Sequence, residues 1–125
     1  FYKAVNMARR HLVPFVVSLA LAGPVGASDL QLLMFEQPGC IYCARWNAEV
    51  APEYGLTEEG RAAPLRRLPL REPPPDDLTL ASPPIFTPTF ILVEDGVESG
   101  RIEGYPGEDF FWPLLADLIA VAARD

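Results

Sequence analysis

The chain contains two cysteines, Cys40 and Cys43, which lie three positions apart directly after an apolar segment. That segment, residues 30–35, is short and is followed by a Pro-Gly pair, so it is predicted to be a buried strand. Residues 41–54 suit a helix that ends before Gly55. A strand, a tight turn and a helix form the opening of a βαβ unit. The cysteine pair is therefore predicted to lie at a strand–helix junction.

This position gives the two cysteines different expected roles. The first residue of a helix lies against unpaired backbone N–H groups and the positive end of the helix dipole, which favours thiolate over thiol. Cys40 is therefore the expected nucleophile. Cys43 lies nearly one turn further on the same helix face, near enough to form a disulfide with Cys40, and is the expected resolving thiol.

Three other interpretations of the pair have less support. Structural disulfides usually connect distant segments, because their stabilisation grows with loop length. A metal site needs further thiolate or imidazole ligands, and residues 28–125 contain no histidine. Haem attachment needs a histidine where Ala44 stands. We therefore expect no metal and no cofactor other than the Cys40–Cys43 disulfide itself.

Residues 7–27 are predicted to be a secretory signal peptide. Two arginines precede an apolar run over residues 12–22, and small residues follow up to Ala27, after which cleavage is expected. A membrane-spanning helix, the alternative, needs about 20 apolar residues. Residues 1–6 fit no part of a signal and are interpreted as upstream translated sequence or a cloning remnant. The folded domain is then 28–125.

Charge excludes some partners of that domain. All 17 acidic residues follow residue 27, together with seven arginines and no lysine. Such a surface repels phosphate backbones and anionic membranes, so no nucleic-acid partner is expected. Half of the chain is hydrophobic, which is typical of a globular domain.

The middle of the chain gives weaker signals than its C-terminal third. Residues 65–70 could form a strand, and Pro69, which has no N–H to donate, would restrict that strand to the edge of a sheet. Residues 76–80 could form helical turns or an irregular connection. Apolar runs over 89–93 and 97–102 flank an Asp-Gly pair and predict a hairpin. A terminal amphipathic helix follows, expected to begin near Trp112 because of Pro113.

Phe86-Thr87-Pro88-Thr89 lies directly before the predicted hairpin, some 45 residues after Cys43. Together with the cysteine pair at a strand–helix junction, this motif resembles the thioredoxin superfamily. From local sequence alone Pro88 would be an ordinary trans proline. The resemblance implies instead a cis proline at Pro88, with the Thr87 backbone meeting substrate. It also implies an α/β thioredoxin-like fold with a central mixed four-stranded sheet flanked by helices.

Within that superfamily, the strings EQPGCIYCARW, TPTFIL and GRIEGYPG look most like the periplasmic SoxS-type thioredoxins of bacterial sulfur-oxidation systems. This resemblance implies a periplasmic thiol–disulfide oxidoreductase that mainly reduces protein disulfides, with Ile41 and Tyr42 contributing to substrate binding. The expected partners are disulfide-bearing proteins, including sulfur-oxidation carriers, and a membrane-linked electron donor. The protein is expected to be a monomer.

Departures from the thioredoxin pattern leave alternatives open. Tyr42 matches the glutaredoxin motif, and Arg45, Glu108 and Asp109 could contact a thiolate or glutathione, so a glutathione-dependent reductase is one alternative. A non-catalytic redox-sensing partner is another. Met34 stands where thioredoxins carry a buried acid; Glu36 is a candidate substitute, or else a solvated acid at a strand end.

Overall fold

A computed structural model describes residues 12–18 and 28–124. Residues 12–18 contain no helix or strand and are exposed. The remainder of the predicted signal peptide and residues 1–6 lie outside the described residues. No helix among the described residues is long and apolar enough to cross a membrane.

Strands and helices follow one another along residues 28–124 in a mixed order. They are β1 (Leu30–Glu36), α1 (Ile41–Glu49), α2 (Ala51–Tyr54), α3 (Glu58–Ala62), β2 (Leu65–Pro69), β3 (Thr89–Glu94), β4 (Val97–Glu103) and α4 (Glu108–Ala122). The sheet order is β2-β1-β3-β4. β1 pairs parallel with β2 and antiparallel with β3, and β3 pairs antiparallel with β4. The predicted mixed four-stranded sheet, edge strand and hairpin are confirmed.

The turn of the hairpin depends on its Asp-Gly pair. Asp95 and Gly96 both have positive φ, 50° and 82°. Two successive residues of this kind make a turn whose twist matches that of the flanking strands. The turn therefore sets the register of β3 against β4, and β3 carries Thr89 at its start.

Helices cover one face of the sheet. Met34 of β1 and Phe90 of β3 pack there with Trp46 of α1 and Phe111 of α4, and all four are fully buried. The Trp46 ring centroid lies 5.2 Å from that of Phe90 and 5.8 Å from that of Phe111. This aromatic cluster fixes α1, and with it the cysteine pair, against the end of β1.

The opposite face is covered by the proline-rich connection between β2 and β3. Leu70, Leu78 and Leu80 of this connection pack on apolar sheet residues, which are Leu33, Phe35, Ile91 and Val93. Arg66 of β2 anchors it through two hydrogen bonds to the Asp77 carboxylate, 2.7 and 3.2 Å long. Of the two interpretations of residues 76–80, the irregular one is correct.

Two predicted helix boundaries are wrong. The helix predicted over 41–54 breaks at Val50, and Pro52 lies in the first turn of the short α2, where its missing N–H costs little. Helix α4 begins at Glu108, well before Trp112, with Pro113 inside it. Burial of Phe111 in the aromatic cluster stabilises this first turn and offsets the cost of the proline.

Candidate active site

A strand, a turn and a helix place the first cysteine of the candidate active site. β1 ends at Glu36, and Gly39 turns the chain with φ 78°. Cys40 is then the N-cap of α1, where its Sγ accepts a hydrogen bond of 3.1 Å from the backbone N–H of Cys43. An N–H donor and the helix dipole both stabilise negative charge on this sulfur.

The second cysteine lies beneath the first. Cys40 and Cys43 form a disulfide with a Cα–Cα distance of 5.2 Å, as predicted. Cys40 is partly accessible, whereas Cys43 is only 4% exposed and packs in the core with Met34 and Trp46. An incoming sulfur can therefore reach Cys40 more readily than Cys43.

The loop before β3 is hydrogen-bonded to the turn that precedes the disulfide. The Thr87–Pro88 peptide bond is cis, which is the geometry that the resemblance implies. Gln37, in the turn before Cys40, donates from Nε2 to Oγ1 of Thr87 over 3.0 Å. The Pro88 carbonyl accepts the Gly104 N–H at 2.7 Å. The Gln37–Thr87 side-chain hydrogen bond thus connects this loop to the cysteine turn, and the Pro88–Gly104 backbone hydrogen bond connects it to the residue after β4.

Exposed apolar side chains lie on the segments that carry these groups. Ile41 and Tyr42, between the cysteines, are 70% and 52% exposed, and Ile85 and Phe86, before Thr87, are 75% and 60% exposed. Sequence reasoning missed Ile85 and Phe86. The proline-rich segment around them has no hydrophobic periodicity. The available signal was that two large apolar residues directly precede Thr87-Pro88.

A cavity separate from the one beside the cysteines is lined by Arg45, Glu108 and Asp109. This cavity of about 330 Å³, which Glu49 also lines, lies between α1 and the start of α4. Arg45 is 3.5 Å from the Glu49 carboxylate, which also accepts a hydrogen bond from the Tyr105 hydroxyl. Burial, followed by this hydrogen bond, raises the pKa of Tyr105 above its ordinary value.

Glu36 is the last residue of β1, and its side chain is 32% exposed and forms an ion pair. Its Oε2 accepts a hydrogen bond of 2.6 Å from Arg67 of β2, a residue that sequence reasoning did not single out. Arg67 also donates to Oδ1 of Asn47 at 2.8 Å. No local signal could have found this arrangement, because it depends on the parallel register that places Arg67 beside Met34.

No cluster of three or more potential metal ligands occurs among residues 12–18 and 28–124. The two sulfurs of the Cys40–Cys43 pair can exchange with a substrate disulfide.

Comparison with known proteins identifies the class. Residues 18–119 match the family model described as thioredoxin-like domain. The chain therefore belongs to the thioredoxin-like family and is a thiol–disulfide oxidoreductase that acts on disulfide-bearing substrates through its own redox-active disulfide, without a separate cofactor.

One solved structure is particularly similar to this chain. It is the reduced form of the periplasmic thioredoxin SoxS from Paracoccus pantotrophus, with 68% sequence identity and a TM-score of 0.74. The match covers 75% of this chain and 99% of that chain. No curated protein matches this chain.

Proposed function

We propose that the protein is a periplasmic reductase of protein disulfides in which Cys40 attacks and Cys43 resolves. The observation that carries the proposal is the contrast between the two sulfurs. Cys40 is accessible at a helix N-terminus and accepts a backbone N–H, whereas Cys43 is buried one turn below it. An exposed, stabilised thiolate is a nucleophile, and a buried neighbouring thiol acts after it.

The reaction runs through a mixed disulfide. The Cys40 thiolate attacks one sulfur of the substrate disulfide, forms a new S–S bond and releases the other substrate sulfur as a thiolate. Cys43 loses its proton and attacks Cys40, which breaks the mixed disulfide and forms the Cys40–Cys43 bond. The substrate gains two electrons and two protons, and the protein dithiol loses them.

The substrate is a protein segment rather than a small disulfide. Thr87 and Pro88 provide the groove beside Cys40, where the Thr87 backbone pairs with an extended substrate segment in β-augmentation. Ile41 and Tyr42 between the cysteines, with Ile85 and Phe86 before Thr87, offer exposed apolar contact area. A small disulfide would leave most of this surface uncovered.

The predicted signal peptide and the similarity to a periplasmic thioredoxin support the proposed location and partners. Residues 7–27 direct export, cleavage after Ala27 releases domain 28–125 to the periplasm, and the similar solved protein is periplasmic. The periplasm is kept oxidising, so a reductase there needs electrons from a membrane-linked donor. Carriers of a sulfur-oxidation system are the proposed substrates, and the protein acts as a monomer.

The surroundings of Arg45 argue against the glutathione-dependent alternative. Arg45 shares its cavity with Glu49, Glu108 and Asp109, so carboxylates outnumber the guanidinium. Arg45 is also already paired with Glu49. Glutathione carries two carboxylates and one ammonium group, so it is a net anion, and this acidic site would disfavour it. Activity on a glutathionylated peptide that survives Cys43→Ser would nevertheless favour that alternative.

Replacing Phe86 with Ala tests whether the substrate is a protein. We expect kcat/KM for reduction of insulin disulfides to fall about tenfold, because truncating a contacting aromatic residue at an interface costs on the order of 1–2 kcal/mol. Reduction of a small aromatic disulfide should change less than about twofold. Both rates are measured with dithiothreitol as the electron source.

Leu56→Ala is the matched control, because Leu56 is 77% exposed but lies after α2, away from the cysteines and the Thr87–Pro88 loop. It should change neither rate. Equal losses on both disulfides in Phe86→Ala, or none, would contradict a protein-docking surface. Tight stoichiometric binding of the substrate without turnover would instead favour the redox-sensing role.

A further inference from the structure

The ion pair between Glu98 and Arg101 of β4 has the least exposed side chains of any ion pair among the described residues. The Glu98 side chain is 8% exposed and the Arg101 side chain 15%. Arg101 donates from Nε to Oε2 of Glu98 at 2.9 Å and from Nη2 to Oε1 at 2.6 Å. Burying two charges costs free energy that their attraction often only repays, so stability alone does not explain such a pair.

A β-bulge directs both side chains to the same face of the sheet. Side chains of a strand alternate between faces, so residues three apart normally lie on opposite faces. The pairing of β4 with β3 shifts register just before Val93, and a bulge of this kind re-aims a side chain. Glu98 therefore pairs with Val93, and Arg101 pairs with Ile91. Val93 and Ile91 belong to the sheet face that the proline-rich connection between β2 and β3 covers.

Glu98 and Arg101 both bind the backbone of that connection. Oε1 of Glu98 accepts a hydrogen bond of 3.1 Å from the Ala81 N–H. Nη2 of Arg101 donates to the Ser82 carbonyl at 2.7 Å. Two residues earlier, the Thr79 carbonyl accepts the backbone N–H of Glu98 at 2.9 Å. The connection is thus fixed to β4 as far as Ser82.

The segment after Ser82 carries the exposed apolar side chains Ile85 and Phe86. Two prolines follow Ser82 directly, and proline restricts both its own backbone and that of the preceding residue. The position of Ser82 is therefore transmitted to Ile85 through a stiff link. At the other end, the Phe86 carbonyl accepts a hydrogen bond of 2.7 Å from Oγ1 of Thr89. The backbone of Ile85 and Phe86 is held from both sides, although the two side chains are exposed.

We propose that Glu98 and Arg101 are positioning residues that preset Ile85 and Phe86 for protein substrates. This rests on the proposed function, in which these two apolar side chains contact the substrate protein. Ordering a loop during binding costs free energy, and a segment that is already fixed avoids most of that cost. The ion pair therefore favours protein disulfides over small disulfides, which reach Cys40 without contacting this segment.

Replacing both members of the pair with apolar residues, Glu98→Leu together with Arg101→Met, tests this role. The double change leaves no unpaired buried charge, so the fold should be retained, which a urea denaturation curve checks. We expect KM for insulin reduction to rise about tenfold with kcat unchanged, because the freed segment has to be ordered on binding. KM for a small aromatic disulfide should change less than about twofold.

Hydrogen exchange, followed by mass spectrometry, gives a local measurement on the same double variant. Backbone amides of residues 81–87 should exchange faster than in the unmodified protein, and those of α1 should exchange at the same rate. Glu98→Gln keeps an oxygen for the Ala81 N–H and for Arg101, so its KM for insulin should stay within about threefold of the unmodified value.

A second variant tests the link without touching the ion pair. Pro83→Gly together with Pro84→Gly makes the segment between Ser82 and Ile85 flexible, and both prolines lie on the surface or partly so. It should raise KM for insulin to a similar extent, again with the small disulfide unaffected. This variant decides the question if the double replacement in β4 fails to fold.

Arg66→Met together with Asp77→Leu is the matched control. It removes the other ion pair that anchors the same connection, before Leu78 and Leu80 pack on the sheet. Both KM values should stay unchanged. An insulin KM within about twofold of the unmodified value in the proline variant and in any folded β4 double variant, unchanged exchange at residues 81–87, or an equal rise in the control would overturn the proposal.

Failure of the proposed function is distinguishable from failure of this positioning role. If proteins do not dock on the exposed segment, Phe86→Ala also leaves insulin reduction unchanged. If they dock there but the ion pair has no positioning role, Phe86→Ala lowers kcat/KM for insulin while the Glu98 and Arg101 replacements do not.

Discussion

Replacing Cys40 with Ser is expected to lower the rate of insulin-disulfide reduction by at least about 10³-fold, to the uncatalysed level. The proposed attacking sulfur, that of Cys40, accepts the Cys43 N–H at the start of α1, and a hydroxyl in its place is not ionised at neutral pH. The measurement is turnover with dithiothreitol as donor, alongside a denaturation curve to show that the variant is folded.

Cys43→Ser is the paired control for this prediction. It keeps the attacking sulfur and removes the resolving one, so it should accumulate a covalent complex with substrate that a reducing agent releases. Mass spectrometry of the complex should locate the bond at Cys40. Insulin reduction that survives in Cys40→Ser would show that the two roles are assigned wrongly.

Replacing Phe111 with Ala is expected to destabilise the fold by about 3–5 kcal/mol. Phe111 is fully buried and contacts the rings of Trp46, Phe90 and Trp112. Its loss leaves a cavity at the point where α4 packs on the sheet and on α1. Since whole domains are stable by about 5–15 kcal/mol, the urea midpoint should fall sharply.

Phe110→Ala controls for the change in composition and in helix propensity. Phe110 is the preceding residue of α4 and is 66% exposed, so its truncation should change the free energy of unfolding by about 0.5 kcal/mol or less. Equal destabilisation by the two substitutions would contradict the assigned packing of α4.

Local signals were sufficient to predict the frame of the candidate site. An apolar run, a Pro-Gly turn and a helix-compatible segment act within about a dozen residues, so they determine where Cys40 and Cys43 lie. The Asp95-Gly96 turn determined the hairpin in the same way. The cis geometry at Pro88 came from the family resemblance, because local sequence favours trans.

The features that were missed depend on contacts between distant parts of the chain. Arg67 reaches Glu36 through the register of two parallel strands, and a register of this kind cannot be read from either strand alone. The start of α4 was misplaced because burial of Phe111 outweighs the local cost of Pro113. The loop over the second sheet face has no hydrophobic periodicity, and its leucines pack against sheet residues that are distant in sequence.

The reduction potential of the Cys40–Cys43 pair tests the proposed direction of electron flow most directly. The purified protein is equilibrated with glutathione redox buffers, the thiols are trapped by alkylation, and the reduced fraction is measured by mass. The account predicts a potential near that of thioredoxin, about −270 mV, at which the dithiol is a reductant that needs a dedicated donor. A potential near about −120 mV would make the protein an oxidant and contradict the account.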